Sequence, residues 1–240
     1  MSKKQKEIWK VYNDVFDQFT LRSVERLSAK GLFEELSSTV AIGKEANVFT
    51  ARKKDGSLVC AKIYRLEVCD FNRMYEYIRQ DRRFEDLKNN RRKVIFSWAK
   101  REYSNLFRVR EMGISSPAAY GFLNNILVME LIGDVKAAPL LKNKIPEDLN
   151  DFFKKVVANM KLLWKNDFVH GDLSHYNIIN HNENPVFIDF SHGTNNLSYN
   201  YLELWDRDVK NVAEFFMKHG ISTDPKKLYK EITGKISKNL

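Results

Sequence analysis

The chain has only two cysteines, Cys60 and Cys69, and no cysteine pair at the short spacing of common zinc sites. This scarcity excludes a fold held together by disulfides and predicts a reducing environment, so we expect a cytoplasmic protein. Apolar runs of the roughly 20 residues needed to span a bilayer are also lacking. The first ten residues have no apolar signal-peptide core. The sequence therefore predicts neither membrane insertion nor secretion.

Negative charge is in the minority, with 31 acidic residues against 40 Lys and Arg and a formal net charge of +9 over 240 residues. Hydrophobic residues make up 43% of the chain and include 16 phenylalanines, which predicts a folded core. A basic surface favours phosphate-rich partners such as RNA and RNA–protein particles. Solubility is the alternative explanation, and charge does not decide between the two.

Residues 168–193 carry an acid, an amide and a second acid at short spacing: Asp172, Asn177 and Asp189. The apolar runs 178–179 and 186–188 predict two short strands joined by a turn over 182–185. Such a hairpin places the first two side chains before one strand and Asp189 after the other. Phosphoryl transfer from ATP requires a carboxylate for the attacking hydroxyl and oxygen ligands for magnesium. The alternative is an ordinary polar hairpin with a capping aspartate.

One lysine, Lys62, interrupts the apolar strand predicted over residues 58–64. Glu102 lies on the apolar face of the helix predicted over residues 94–112. A buried carboxylate requires a partner, and we predict that Glu102 pairs with Lys62 and holds it for the phosphates of a nucleotide. The alternatives are a solvent-facing lysine on an edge strand and a glutamate at the edge of the apolar stripe.

Two weaker patterns favour a nucleotide site. The hairpin predicted over residues 39–53 turns at Gly43, where backbone N–H groups can approach phosphates, although a plain turn is the alternative. Backbone groups at the end of a strand predicted over 125–132 could form hydrogen bonds with the edge of an adenine base. The alternative is an ordinary core strand. The remaining pattern predicts helices over 8–19, 147–164 and 201–219. A helix capped by Thr20 and stopped by Gly31 is expected to support packing.

The charge-dense residues 65–93 predict a mostly solvated, mobile connection with a short helix near 71–77. Its arginines form a basic patch that either contacts an anionic partner or is merely solvated. Strands with one helix come first and mostly helices follow. This order predicts an α+β architecture of two lobes with a nucleotide between them.

The chain resembles the RIO kinases, a family of atypical protein kinases, and most of all its Rio-one-type subfamily in the compact archaeal form. The resemblance covers about residues 38–216 and rests on nine motifs in order. They are GKEANVF at Gly43, AKIYR at Ala61, FxxMxxYIxxDxRF at Phe71, WAKREYSNL at Trp98, LVMELIG at Leu127, APLL at Ala138, HGDLSHYNI at His170, FIDFSHG at Phe187 and RDVKNVAEFF at Arg207.

The resemblance implies a two-lobed, protein-kinase-like RIO fold with an antiparallel sheet and a helix in the N-terminal lobe and a mainly helical C-terminal lobe. We expect N-terminal helices over 1–37, the first lobe over 38–132 with a mobile basic insertion at about 66–93, and the second lobe over 133–240. It also implies an ATP- and Mg²⁺-dependent serine/threonine kinase or ATPase, with Mn²⁺ as a substitute metal. The small ribosomal subunit or its precursor, protein and rRNA, is the implied partner, and no membrane or DNA partner is expected.

The resemblance assigns catalytic roles to Asp172, Lys62 and Glu102, and metal binding to Asn177 and Asp189. The implied nucleotide-binding residues are Ile42, Gly43, Lys44, Glu45, Ala46, Val48, Lys62, Met129, Glu130 and Ile132. Two alternatives remain at this stage. One is a small-molecule phosphotransferase of the aminoglycoside or choline type, and the other is a catalytically silent scaffold that binds pre-ribosomes.

Four positions depart from the pattern of related kinases. Ala41 and Ile42 replace the two hydroxyl residues that are usual before Gly43. His175 stands where Glu or Gln is usual, and His192 stands where Gln is usual. Two exposed histidines near the site could make activity pH-dependent near neutrality, whereas solvated histidines without a role are the alternative. Gly171 stands where ordinary protein kinases carry an arginine that reads a phosphorylated loop. We therefore predict activity without phosphorylation of an activation loop.

Overall fold

The computed structural model describes residues 16–67, 71–84, 86–134, 136–237 and 240. Most of the helix predicted over residues 8–19, and also Cys69, lie outside the described residues. Cys60 is a buried free thiol. No helix in the described part of the chain is long and apolar enough to cross a membrane.

The first half of the chain builds one five-stranded antiparallel sheet. Its strands are β1 (Glu35–Ile42), β2 (Ala46–Arg52), β3 (Leu58–Tyr64), β4 (Ala119–Leu123) and β5 (Ile126–Glu130), in the spatial order β1-β2-β3-β5-β4. The central strand β3 is apolar, as buried strands require. Its Lys62 lies between Val48 of β2 and Leu127 of β5 in the ladder. The sheet thus places a lysine in the middle of an apolar surface.

Helices α1 (Gln18–Ala29) and α3 (Arg91–Glu111) pack on opposite faces of this sheet. Helix α2 (Phe71–Arg79), which is followed by a 3-10 turn (Arg82–Phe84), packs on α3. The apolar face of α1 joins a core cluster with Phe33, Phe49 and Ile126. Its N-terminal cap is Asp17, whose carboxylate accepts the N–H groups of residues 19 and 20, so the prediction of Thr20 as the cap is wrong. Gly31 follows the helix with a positive φ, as predicted for its stop.

The second half is mainly helical. It contains α4 (Leu149–Lys165), β6 (Phe168–Val169), β7 (Ile178–His181), β8 (Asn184–Phe187), a 3-10 turn (Phe190–His192), β9 (Thr194–Asn195), α5 (Tyr201–Lys218) and α6 (Pro225–Thr233). The helix α6 was not predicted. Apolar faces of α3, α4, α5 and α6 share one core cluster. The predicted α+β architecture, an antiparallel sheet followed by a mainly helical lobe with a hairpin, is confirmed.

The charged stretch 71–84 packs more closely than its composition predicts. A helix is present, as expected, but Met74, Ile78 and Asp81 are buried rather than solvated. The two apolar side chains join a cluster with Trp98 of α3. The expectation of a mostly solvated connection is wrong for these residues, because the alternation of charged and apolar positions gives α2 one apolar face.

Candidate functional site

A cleft with a volume of about 610 Å³ separates the sheet from the helical lobe. All ten residues predicted to bind the nucleotide line it, as do Glu102 and Asp189. Gly43 opens the β1–β2 turn, where its N–H donates to Ala46 O at 2.9 Å. A Cβ at position 43 would come within 2.8 Å of that oxygen, so the tight turn excludes any side chain there. This geometry explains why the turn needs one glycine.

Three ionisable groups, Lys62, Glu102 and Asp189, meet beside this cleft. The Lys62 Nζ lies 3.0 Å from Glu102 Oε1 and 2.8 Å from Asp189 Oδ1. The Lys62–Glu102 pair predicted from the apolar face of α3 is present. The hydroxyl of Tyr64, which follows two residues after the lysine on β3, donates to Glu102 Oε2. Tyr64 thereby fixes the carboxylate from the side opposite the lysine.

Burial and charge act in opposite directions within this cluster. Burial lowers the pKa of the Lys62 ammonium, but the carboxylates of Asp189 and Glu102 outweigh it and raise that pKa well above its ordinary value. Burial raises the pKa of Asp189, but Lys62 and the Ser191 hydroxyl bring it far below the usual range. The lysine is therefore charged and Asp189 ionised at any physiological pH.

The predicted catalytic loop, residues 170–177, lies next to the end of β8, where the Ile188 N–H donates to Asn177 O at 3.0 Å. The Asn177 amide nitrogen donates to Asp172 O at 2.7 Å and to Asp172 Oδ2 at 3.1 Å. Burial raises the pKa of Asp172; Arg207, the strongest opposing influence, lowers it. Asp172 and Asn177 thus lie together, as the hairpin prediction requires, although neither lines the cleft itself.

A buried carboxylate that the sequence analysis missed supports this loop. Asp208 of α5 accepts the N–H groups of Gly171 and Leu173, each at 2.8 Å. Burial raises the pKa of Asp208 to about 7, although the two N–H donors favour its ionised form. Its position inside the RDVKNVAEFF motif, on the apolar face of a helix, is the signal that could have identified it. The loop is therefore fixed through its backbone.

Gly171 itself is required by conformation and by space. Its φ is +79°, in the left-handed region where side chains are rare. A Cβ there would lie 2.7 Å from His192 O and 2.9 Å from the Tyr77 hydroxyl. The absence of an arginine before Asp172 thus has a steric reason in addition to the regulatory one that the sequence predicts.

The segment after Asp189 is tied to α3. The Asn105 amide nitrogen donates to Phe190 O and Gly193 O, each at 2.8 Å. The buried Arg101 guanidinium donates to His192 O at 3.2 Å and to Gly193 O at 3.3 Å. These two polar residues on a buried helix face were also missed by the sequence analysis, although both belong to the WAKREYSNL motif.

The expected metal ligands Asn177 and Asp189 supply an amide oxygen and a carboxylate oxygen. Hard cations such as Mg²⁺ prefer this donor type and usually complete their coordination with water and phosphate. Within the described residues, no group of three or more His, Cys, Asp or Glu side chains could hold a metal by itself. Asp189 has a φ of +62°, a strained conformation that directs its carboxylate beside Lys62. The two residues fit a metal shared with a phosphate.

Strand β5, which carries the predicted adenine-binding residues, ends beside the cleft. The Glu130 carboxylate accepts the Ala118 N–H at 2.9 Å. The Glu130 N–H donates to Ala118 O at 2.7 Å. Ile132 packs with Ile179 and Val186 in a small apolar cluster. The Glu130 side chain is thus held at Ala118, whereas Ile132 offers apolar surface to the cleft.

Both histidines that depart from the family pattern are partly buried rather than exposed, which corrects the expectation. His192 packs its ring against Tyr77 and Trp98, with centroids at 4.5 and 5.2 Å. Burial lowers the pKa of His192 to about 3. His175 stacks on Phe215 at 4.7 Å, and burial lowers its pKa as well. Both are neutral at pH 7, so the titration of these two histidines gives no basis for pH-dependent activity near neutrality.

Comparisons with known proteins now identify this arrangement. The RIO domain profile matches residues 47–228. The RIO-type serine/threonine-protein kinase Rio1 of Haloferax volcanii is 35% identical over 236 residues, covering 98% of this chain and 81% of that protein. The namesake from Methanocaldococcus jannaschii is 40% identical over 229 residues, covering 94% and 78%. The chain belongs to the RIO family of serine/threonine-protein kinases.

The fold of this RIO kinase also matches a solved structure. The Rio2 kinase of Chaetomium thermophilum, in an ADP/Mg²⁺-phosphoaspartate complex, superposes with a TM-score of 0.69 at 23% identity. The match covers 90% of this chain and 66% of the Rio2 chain. The predicted family and fold are confirmed. Because the chain belongs to the RIO family, the motifs that it shares with small-molecule phosphotransferases are better interpreted as those of a RIO kinase.

Proposed function

We propose that this RIO kinase binds ATP with Mg²⁺ and transfers or hydrolyses its terminal phosphoryl group at a site centred on Asp172. The observation that carries the proposal is the buried Lys62 between Glu102 and Asp189 on the wall of a deep cleft. A cation buried at such cost is retained where it is needed to meet an anion. A nucleotide phosphate provides that anion.

Each residue has a distinct role in this proposal. Lys62 binds the phosphates and Glu102 holds it in position. Asn177 and Asp189 would hold the metal, which neutralises charge on the phosphates when bound. Asp172 orients the acceptor hydroxyl and takes its proton. Its raised pKa suits a base that must also give the proton up.

The partner belongs to the proposal as well. A net charge of +9 favours an RNA-rich target, and the family resemblance points to the small ribosomal subunit or its precursor. We propose a cytoplasmic location, with no membrane or DNA partner, and Mn²⁺ as a substitute for Mg²⁺. The cations Lys155 and Lys161 on α4, each paired with a carboxylate, show that part of this charge is neutralised locally.

Magnesium-dependent ATP turnover by wild type and by Asp172→Asn tests the proposal, each with and without small ribosomal subunits. We expect turnover to fall about 1,000-fold in the variant and to change in wild type when subunits are added. Asp151→Asn is the matched control, because Asp151 is an exposed carboxylate paired with Lys155 on α4. It should keep full turnover.

The silent-scaffold alternative predicts a different result. Wild type and Asp172→Asn would then both lack turnover, while both bound subunits equally. If ATP turnover by wild type does not change when small ribosomal subunits are added, the ribosomal partner is rejected and the kinase chemistry is not.

A further inference from the structure

The charged stretch 71–84 ends in a buried carboxylate. Asp81 directly precedes the 3-10 turn and is only 2% exposed. Its two oxygens accept Arg83 Nε at 3.0 and 3.1 Å, and its Oδ2 also accepts Arg83 Nη2 at 2.6 Å. Forked, charge-assisted hydrogen bonds of this kind fix the orientation of both partners. Asp81 and Arg83 therefore form an oriented ion pair, the Asp81–Arg83 pair.

The Asp81–Arg83 pair contacts two residues of α3. The Asp81 Oδ2 lies 3.5 Å from Nε of Arg101, whose side chain is 1% exposed. The Arg83 Nη1 donates to Asn105 Oδ1 at 3.3 Å. A guanidinium buried as deeply as that of Arg101 requires a counter-charge, and Asp81 supplies it. The oxygen of Asn105 is bound by Arg83, and its amide nitrogen is used elsewhere.

Arg101 and Asn105 in turn hold the segment 190–194. As described above, the two side chains donate to three carbonyl oxygens of this segment at 2.8–3.3 Å. Asp81 Oδ2 adds a direct contact, because it accepts the Thr194 hydroxyl at 3.4 Å. The segment is thus held by two residues of α3, and the Asp81–Arg83 pair orients both of them.

Asp189 directly precedes this segment and depends on it. Its φ of +62° is a strained backbone conformation, which the surrounding contacts must maintain. The Ser191 hydroxyl donates to Asp189 Oδ1 at 2.7 Å, and the same oxygen lies 2.8 Å from Lys62 Nζ. A shift of residues 190–194 would therefore move both the backbone and a hydrogen-bond donor of this carboxylate.

We propose that Asp81 and Arg83 are positioning residues for Asp189, and that they determine how tightly its carboxylate binds a Mg²⁺ ion shared with a nucleotide phosphate. The inference rests on the proposed function, in which Asp189 is a metal ligand. Asp81 and Arg83 do not line the cleft, and they act through Arg101 and Asn105. Groups that orient a metal-binding carboxylate contribute roughly 10- to 100-fold to metal affinity.

Three variants test these roles: Asp81→Asn, Arg83→Ala and the control Arg82→Ala. Arg82 belongs to the same 3-10 turn, and its guanidinium lies 5.9 Å from the ring of the exposed Tyr199. Its removal changes the net charge as Arg83→Ala does, but it leaves the contacts of Arg83 intact. Arg83→Ala keeps the counter-charge of the buried Arg101, so it provides the test if Asp81→Asn does not fold.

The affinity for ADP with and without metal is the first readout. Calorimetry would measure the Kd for ADP in EDTA and again in excess Mg²⁺, and the ratio of the two values is the gain due to the metal. We expect Asp81→Asn to reduce this gain about 10-fold and Arg83→Ala to reduce it by a smaller factor. Both variants should bind ADP in EDTA as wild type does. Arg82→Ala should match wild type in both conditions.

ATP turnover is the second readout. In Asp81→Asn and Arg83→Ala, we expect a higher Mg²⁺ concentration at half-maximal rate, because a displaced Asp189 binds the ion more weakly. Excess Mg²⁺ should therefore restore part of the lost rate in these two variants. Arg82→Ala should need no more Mg²⁺ than wild type.

A purely structural role for the Asp81–Arg83 pair predicts a different result. Variants that fold would then unfold at a lower temperature but keep the wild-type gain due to Mg²⁺, which would overturn the inference and leave the proposed function intact. A loss of affinity that is equally large in EDTA would also overturn it, because the whole cleft would then be affected. If wild type itself gains nothing from Mg²⁺, the proposed function fails, and this inference fails with it.

Discussion

The fold holds the Lys62 cluster and the predicted catalytic loop, residues 170–177, by different means. Lys62 is fixed by charge, through two carboxylates and the hydroxyl of Tyr64 beside one of them. The catalytic loop is fixed by its backbone, through two N–H groups that donate to Asp208. The side chain of Asp172 is consequently left exposed.

The difference fits the roles that we propose for the two groups. A lysine that binds phosphate has to stay charged although it is buried, and the two carboxylates beside Lys62 keep it charged. A proton acceptor has to change charge during each turnover, so direct ion pairs would hinder it. Because Asp208 holds the loop through its backbone N–H groups, the Asp172 carboxylate can take up and release a proton. Lys62 and Asp172 therefore differ in how readily they change protonation state.

Removing the cation should have the largest effect on this contrast. In Lys62→Met, Glu102 and Asp189 face each other without a counter-charge, because nothing replaces the ammonium at 2.8–3.0 Å. We expect ATP turnover to fall at least about 100-fold and the free energy of unfolding to fall by about 3 kcal/mol. Urea denaturation and initial rates measure both. Lys155→Met, which breaks an exposed pair with Asp151, should cost less than about 1 kcal/mol.

The outcome that would contradict this interpretation is a stable, inactive Lys62→Met protein with the same unfolding midpoint as wild type. The buried carboxylates would then be accommodated without the lysine, and the cluster would serve catalysis alone.

Breaking the support of the catalytic loop should affect rate more than binding. In Asp208→Asn, one of the two N–H groups loses its acceptor, because an amide offers a single oxygen. We expect kcat to fall about 30-fold and stability by about 2 kcal/mol, while the affinity for ADP is retained, since the cleft lining is unchanged. Rates and calorimetry separate these. Glu203→Gln, at the exposed start of α5, is the control. An equal loss of ADP affinity would show that Asp208 supports the whole cleft.

The smallest effect at neutral pH concerns His192, whose ring packs against Tyr77 and Trp98. The pKa of His192 is lowered to about 3, chiefly by burial, with Arg101, Arg207 and His170 adding to the shift and Asp189 opposing it. A lowered pKa in the folded state means that the unfolded chain binds the proton more tightly. Stability is therefore full above about pH 6.5 and declines as pH falls, by up to about 1.4 kcal/mol per unit.

Substituting His192→Gln should remove that part of the acid sensitivity and leave the rate profile between pH 6 and 8 unchanged. Thermal unfolding at stepped pH, together with rates, measures both. A shifted rate profile near neutrality would instead support pH-dependent activity, which was one of the two interpretations of these histidines left open by the sequence.

Predictability from sequence differs between these regions for a physical reason. The hairpin, Asp172, Asn177 and Asp189 follow from local spacing and turn chemistry, which short segments encode. The Lys62–Glu102 pair is also predictable, because a charge on an apolar face demands a partner. Asp208 is different: its partners are backbone N–H groups 35 and 37 residues away, and backbone groups leave no mark in the sequence.

Helix α2 was misjudged for a related reason. Its high charge indicates solvation, but Met74 and Ile78 supply enough apolar surface to dock it on α3. The contact of Tyr77 with Gly171 joins residues far apart in the chain. Composition averages over both faces of such a helix, so the docking face is hidden until its neighbour is known.

Helix α3 has a mechanical consequence. Glu102 holds Lys62 from the middle of this helix, and Asn105, one turn later, holds the segment after Asp189 through two carbonyl oxygens. Both sets of contacts are made by one helix of 21 residues. A translation of this helix along its axis would strain the contacts with Lys62 and with the segment after Asp189 together. Lys62 and Asp189, the proposed metal ligand, are therefore coupled through α3, and a shift of this helix would displace both together.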